Sequence, residues 1–167
     1  MIRRLAPTEW ELLRDVRLAS LTDAPTAFAS THAREAAFDE ATWRERLAGN
    51  AWYVGTDPGS GPELVTGIVA GRHDPSSPPD QRHLIAMWVA PSARGTGLAV
   101  DLVEAVARWA RADGATELTL GVTAGNDRAS GLYLKCGFVA TGETFLLDND
   151  PSRPYHLFSR SLDPATS

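Results

Sequence analysis

Two stretches of the sequence hold residue types whose spacing could do chemistry. The first runs Met87-Trp88-Val89-Ala90-Pro91-Ser92-Ala93-Arg94-Gly95-Thr96-Gly97-Leu98-Ala99 and reads as a strand end, a glycine-rich turn and the start of a helix. Such a turn exposes backbone N–H groups that have no intrahelical partner, and the helix dipole adds partial positive charge there. It is a seat for phosphate. Glycine serves this role because a Cβ would block a close-approaching pyrophosphate and does not readily adopt positive φ. The same residues, Gly95 and Gly97, would equally make a plain strand-to-helix turn, since short glycine motifs match by chance.

The second stretch, Leu118 through Phe138, carries Asn126 and Tyr133 seven residues apart. Two helical turns put both on one side of a helix. Taken singly, Asn126 reads as an N-cap and Tyr133 as a half-buried packing residue. Two other phosphate motifs fail on the letters. A dinucleotide G-x-G-x-x-G starting at Gly95 would put its third glycine at Val100, and its ribose-binding acid belongs at a strand end, whereas Glu117 begins a strand. A P-loop needs Gly-Lys-Ser/Thr, and the one lysine of the chain is Lys135.

Together the two stretches resemble the GNAT superfamily of acetyl-CoA-dependent N-acetyltransferases. Arg94-Gly95-Thr96-Gly97-Leu98-Ala99 is similar to that family's Arg/Gln-x-x-Gly-x-Gly/Ala pyrophosphate loop. Asn126 through Phe138 is similar to its Asn…Ala-x-x-Leu-Tyr-x-x-x-Gly-Phe block, with Ser130-Gly131 slightly off pattern. The likeness is strongest from about Leu84 to Gly142. It implies a V-shaped opening between a strand ending at Val89 and another ending at Val122. In that opening the pantetheine arm would pair with the backbone of Met87, Trp88 and Val89. The pyrophosphate would sit on N–H groups from Gly95 through Thr96, Gly97, Leu98 and Ala99 to Val100. Asn126 would help hold the cosubstrate, acetyl-CoA, and Tyr133 would face the thioester sulfur. No metal is implied.

The chemistry suits that placement. In direct attack an amine adds to the acetyl carbonyl and the leaving thiolate needs a proton. A phenol of pKa ~10 is protonated at neutral pH and can donate to it. The amine starts charged, and stripping its proton costs about 4 kcal/mol at pH 7 for a pKa near ~10. In the family's ribosomal-protein acetyltransferases a catalytic Glu commonly stands where this chain has Gly121, which cannot accept a proton. That leaves His83, Glu35 or a water wire as the base. A second function, a non-catalytic acyl-CoA-binding regulatory module, would have no need of the Tyr133 hydroxyl.

The elements that must position these residues follow from pattern. Ile2–Leu5 predicts an edge strand, Pro7 opens a helical pattern with Trp10, Leu13, Arg17 and Leu21, and Asp39–Leu47 predicts a second helix. Three β-like runs follow, Trp52–Thr56, Leu64–Arg72 and Arg82–Val89, with a turn over Asp57–Pro62 and a Pro-rich loop over His73–Asp80. Leu98, Leu102, Val106 and Trp109 recur at helical spacing up to Gly114. Glu117–Val122 predicts a strand, Asp127–Cys136 a helix, and Thr141–Leu147 and Tyr155–Leu162 two closing strands. The expectation is an α+β (mixed α/β) single domain over 1–167, with a central mostly antiparallel sheet flanked by helices in the order β-α-α-β-β-β-α-β-α-β-β.

Composition sets the outer bounds. The chain has 167 residues, 43% hydrophobic and 22% charged, with net charge −5. Those values suit a soluble domain with a packed core and exclude a disordered tail. The acidic balance argues against nucleic acid as a partner and for a small-molecule amine or peptide acceptor. The single cysteine, Cys136, fits a reducing compartment, and the four histidines lack metal-ligand spacing. The longest apolar run, Leu84–Ala90, is too short to span a membrane, and the N-terminus lacks a signal-peptide pattern, so the expected location is cytoplasmic. Homodimers are frequent among the proteins it resembles.

Overall fold

The first strand, β1 (Ile2–Arg4), leads into a helix, α1 (Trp10–Asp23), that begins after rather than at Pro7. Glu9 sets that start: its carboxylate accepts the Ala6 N–H at 2.7 Å and both terminal nitrogens of Arg3 at 2.9 Å. Next comes a short helix, α2 (His32–Ala36), one element more than the expected order. Five residues cannot display a 3.6-residue period, and α2 is held by its cap, the Thr31 hydroxyl accepting the Arg34 N–H at 3.2 Å. The helix α3 (Glu40–Gly49) starts where Asp39 accepts the Thr42 N–H at 2.8 Å. The computed structural model describes residues 1–56, 64–147 and 150–162, so the turn expected over Asp57–Pro62 lies outside the described residues.

Three strands then form the expected meander: β2 (Ala51–Gly55), β3 (Gly67–Arg72) and β4 (Gln81–Val89). The remaining elements are α4 (Leu98–Ala112), β5 (Glu117–Thr123), α5 (Asp127–Lys135), β6 (Val139–Leu147) and β7 (Asp150–Ser161). They build one seven-stranded sheet in the order β1-β2-β3-β4-β5-β7-β6. Every pairing is antiparallel except that of β4 with β5, the pair joined by α4. A parallel pair needs a crossover of this kind, and here the crossover helix follows directly on the glycine turn.

Both faces of the central strands are covered. On β3, Val69 belongs to one core with Leu102, Val106 and Leu118, while Ile68 and Ala70 belong to the other with Leu13, Trp43 and Trp52. Strand alternation sends neighbours to opposite faces, so α4 packs on one side and α1 with α3 on the other. Leu102, Val103 and Val106 are fully buried. That anchorage fixes the N-terminus of α4 at the end of β4.

Candidate active site

The parallel strands β4 and β5 pair only over Gln81–Glu117, Arg82–Leu118 and His83–Thr119. Past those positions β4 continues to Val89 and β5 to Thr123 without a ladder between them. The sheet is split there. A bulge accompanies the split: Ile68 pairs with Trp88 but Ala70 with Ile85, so β4 carries one residue more than β3 between those points. Ala86 sits at φ 59°, a left-handed conformation that non-glycine residues rarely adopt. Such a bulge re-aims the side chains beside it. Ala86 lines one cavity and Met87 a different one.

The larger cavity, about 1000 Å³, lies along the end of β4, the glycine turn and α5. Its wall contains Met87, Trp88, Val89, Arg94, Gly95 and Gly97, then Ala99 and Val100 of α4. Asn126 and Tyr133 complete the set on the opposite side. Thr96 and Leu98 are not in the wall. The Thr96 hydroxyl donates to the Ala93 carbonyl at 2.6 Å and ties the turn, and the Leu98 side chain is buried against Gly55 and Gly67.

The turn is built by backbone geometry. Gly95 and Gly97 have φ of 82° and 89°, and a Cβ on either would meet nothing within 4 Å. Conformation, not crowding, requires glycine there. Gly97 has no side chain to cap α4; the Leu98 N–H reaches the Thr96 hydroxyl at 3.4 Å, and the first helical hydrogen bond runs from Asp101 N–H to Gly97 O at 3.1 Å. The N–H groups of Ala99 and Val100 therefore have no intrahelical acceptor, and both residues line the cavity. Arg94 braces the turn: its Nε donates to the Val89 carbonyl at 3.1 Å and its Nη2 to Asp23 at 2.7 Å. The Trp88 indole N–H reaches the same Asp23 oxygen at 2.9 Å. Arg128 and Lys135 add positive charge to the wall. They too are seven residues apart, the spacing that had pointed to Asn126 and Tyr133.

Asn126 caps α5, accepting the Ala129 N–H at 3.2 Å. Tyr133 is 6% exposed and packs edge-on against Phe138 with ring centroids 5.7 Å apart. Burial, with a smaller contribution from Cys136, pushes its phenol well above the ordinary range. It stays protonated across the neutral and mildly alkaline range. The cap and packing roles foreseen for these two residues coexist with their places in the cavity wall.

The base candidates sit otherwise. Glu35 is 1% exposed and held by Arg17 through two bonds of 3.0 Å and by Arg46 at 2.9 Å. Burial raises its pKa, but the hydrogen bonds and charges of Arg17, then Arg46, outweigh this and hold it below the ordinary value. A carboxylate so stabilised is a weak base. His83 contacts Ser77 through Nε2 at 2.9 Å and Thr119 through Nδ1, and it lines neither cavity. Burial, then the Arg72 charge, lowers its pKa. At Gly121 a Cβ would overlap the Tyr155 ring, so a side chain cannot stand there without displacing that ring.

Residues 14–138 match the acetyltransferase (GNAT) family. The chain belongs to that family. Over 84 residues it is 39% identical to N-acetyltransferase 8F1 of Rattus norvegicus, a stretch covering 49% of this chain and 38% of the rat protein. The chain thus spans well under half the length of that relative. Its fold is similar to the GNAT-family acetyltransferase of Streptococcus pneumoniae, with TM-score 0.74, 22% identity, and 98% and 99% of the two chains covered. It is also similar to an aminoglycoside 6'-N-acetyltransferase solved with coenzyme A, with TM-score 0.67, 12% identity and 98% of each chain covered. In this GNAT fold the split of the sheet and the glycine turn occupy adjoining positions at the C-terminal end of β4.

Proposed function

We propose that the protein moves an acetyl group from acetyl-CoA to a primary amine of a small molecule or peptide by direct attack. The observation that carries this reading is the glycine turn. Ala99 and Val100, whose N–H groups have no helical acceptor, line with neighbouring cationic side chains a cavity that a buried, protonated phenol also lines. Acetyl-CoA would supply the thioester whose carbonyl carbon is attacked. Ala99, Val100, Arg128 and Lys135 would bind its phosphates, and the freed backbone of Met87 to Val89 would pair with its amide arm. As the C–S bond breaks, Tyr133 would donate a hydrogen bond to the sulfur, its raised pKa favouring donation over full release of its own proton. The departing thiolate would take up the second proton that the attacking nitrogen loses. The ammonium proton of the acceptor would leave through water, since Glu35 is spent on two arginines and His83 stands outside both cavities.

The test is release of free CoA thiol with a panel of amines, alongside calorimetric titration with CoA. Amine-dependent thiol release matched by acetylated product is the expected result. CoA binding with no thiol release above buffer for any amine would replace the transferase reading with that of a binding module.

A further inference from the structure

The second cavity, about 530 Å³, lies against the first and shares Ala27 and Phe28 with it. Its volume suits a small molecule. Among the described residues four arginines line it, Arg17 from α1, Arg34 from α2, Arg46 from α3 and Arg72 from β3, against a single acid, Glu35. Glu35 is already committed: Arg17 Nε and Nη2 donate to its carboxylate, and Arg46 Nη1 stands 2.9 Å from it as an ion pair without hydrogen-bond geometry. The Arg17 side chain is 6% exposed, and its Nη1 is buried with no hydrogen-bond acceptor. Its guanidinium stacks on Phe28, 4.5 Å from the ring centroid. One carboxylate between a buried guanidinium, that of Arg17, and a partly exposed one, that of Arg46, leaves a net positive charge in a poorly solvated place, which is costly until an anion arrives. Arg72 meets Asp74, which is outside the wall, at a long 3.3 Å, and Arg34 forms no ion pair among the described residues.

We propose that this cavity holds the acceptor by an anionic group, so that the acetylated amine also carries a carboxylate or phosphonate. The proposal rests on the reading of the first cavity as the acetyl-CoA site. The net charge of −5 belongs to the whole chain, whereas the field at this wall is set by four nearby guanidiniums. Polyamines and aminoglycosides, which an acidic protein would otherwise welcome, meet like charge here. Planar guanidinium forks match carboxylate and phosphonate oxygens.

The experiment compares L-amino acids with their methyl esters, 2-aminoethylphosphonate and spermidine, by kcat/KM for thiol release and by calorimetric binding in the presence of CoA. The expected result is that at least one free acid or the phosphonate exceeds its uncharged or cationic counterpart by roughly 10-fold or more. Arg34→Gln and Arg72→Gln, both at exposed positions, should each raise KM for that acceptor about 3- to 10-fold. The CoA Kd should hold in both, and the acid-to-ester ratio should shrink. The relative strength of carboxylate and phosphonate identifies which anion the site takes. Equal use of acid and ester, preference for spermidine, or an unchanged ratio in both variants would overturn the anion site and leave acetyl transfer standing. Tighter binding of acid than ester without turnover of any amine would uphold the anion site while acetyl transfer fell. Neither turnover nor selective binding would overturn both.

Discussion

The two cavities that meet at Ala27 and Phe28 are made of different material. The larger is walled by backbone at its working end: two glycines at positive φ, two N–H groups without helical acceptors and a strand edge freed by the split of β4 from β5. The smaller is walled by charged side chains from α1, α2, α3 and β3, two of which, Arg17 and Arg46, are held on Glu35. A backbone site asks little of side-chain identity beyond glycine, so it recognises a shape shared by many ligands. A side-chain site depends on four residues far apart in the chain, so it can change its ligand by single substitutions. Common cosubstrate and individual acceptor would then be divided between the two.

The sharpest way to break this comparison is Glu35→Ala. It should destabilise the fold by about 3 kcal/mol, because the buried Arg17 guanidinium loses its counter-charge and the partly exposed Arg46 loses its ion partner with it. Urea denaturation measures it, and a change under about 1 kcal/mol would show that the arginines are solvated rather than locked. Gly97→Asp attacks the other cavity. A side chain and negative charge at the phosphate seat should weaken CoA by about 3 kcal/mol, on the order of 10²-fold or more in Kd, while the arginine cavity keeps its ligand. Wild-type CoA affinity in that variant would remove the phosphate assignment.

Tyr133→Phe is next in size. The ring still packs on Phe138, and only the O–H is lost, so kcat should drop on the order of 10²-fold with CoA affinity unchanged. Weakened CoA binding at unchanged kcat would instead make Tyr133 a binding residue. The pH dependence of stability gives a smaller effect with a definite sign. The folded pKa of Glu35 lies below its ordinary 4.5, so the ion cluster contributes fully above that pH and is lost as pH falls through the folded value. His83 acts in the same direction from its ordinary 6.5 downward, because the unfolded chain takes up its proton first. Unfolding free energy should therefore fall with acidification, and Glu35→Gln should flatten the part below about pH 4.5. Smallest of all should be His83→Ala, with kcat/KM lowered by less than about 10-fold. A loss above about 10³-fold with folding intact would show one dominant base after all.

Legibility in the sequence followed the locality of each feature. The meander, α4 and the closing strands rest on apolar period and glycine stops, and they stand where those patterns put them except at their starts: β3 begins later, at Gly67, and β6 and β7 earlier, at Val139 and Asp150. The pyrophosphate-like turn was legible because Arg94 to Val100 is one continuous segment whose glycines state their own backbone conformation. The helix α2 was not legible, since one capped turn has no period. The bulge at Ala86 was equally silent, because an alanine at positive φ looks like any other alanine. Thr96 and Leu98 fit the motif by letter, yet their side chains are spent on tying the turn and filling the core.

By itself the sequence determined the family, the element order apart from α2, and the place of the glycine turn, because each is encoded in contiguous residues and local backbone preference. Tertiary structure alone decided where β4 and β5 part, that two arginines hold Glu35, and that Tyr155 covers Gly121. It alone gathered Arg17, Arg34, Arg46 and Arg72 into the wall of one cavity. Charge couples through space and falls with distance, not with separation along the chain, so a sum over the sequence gives −5 while the wall of one cavity is positive.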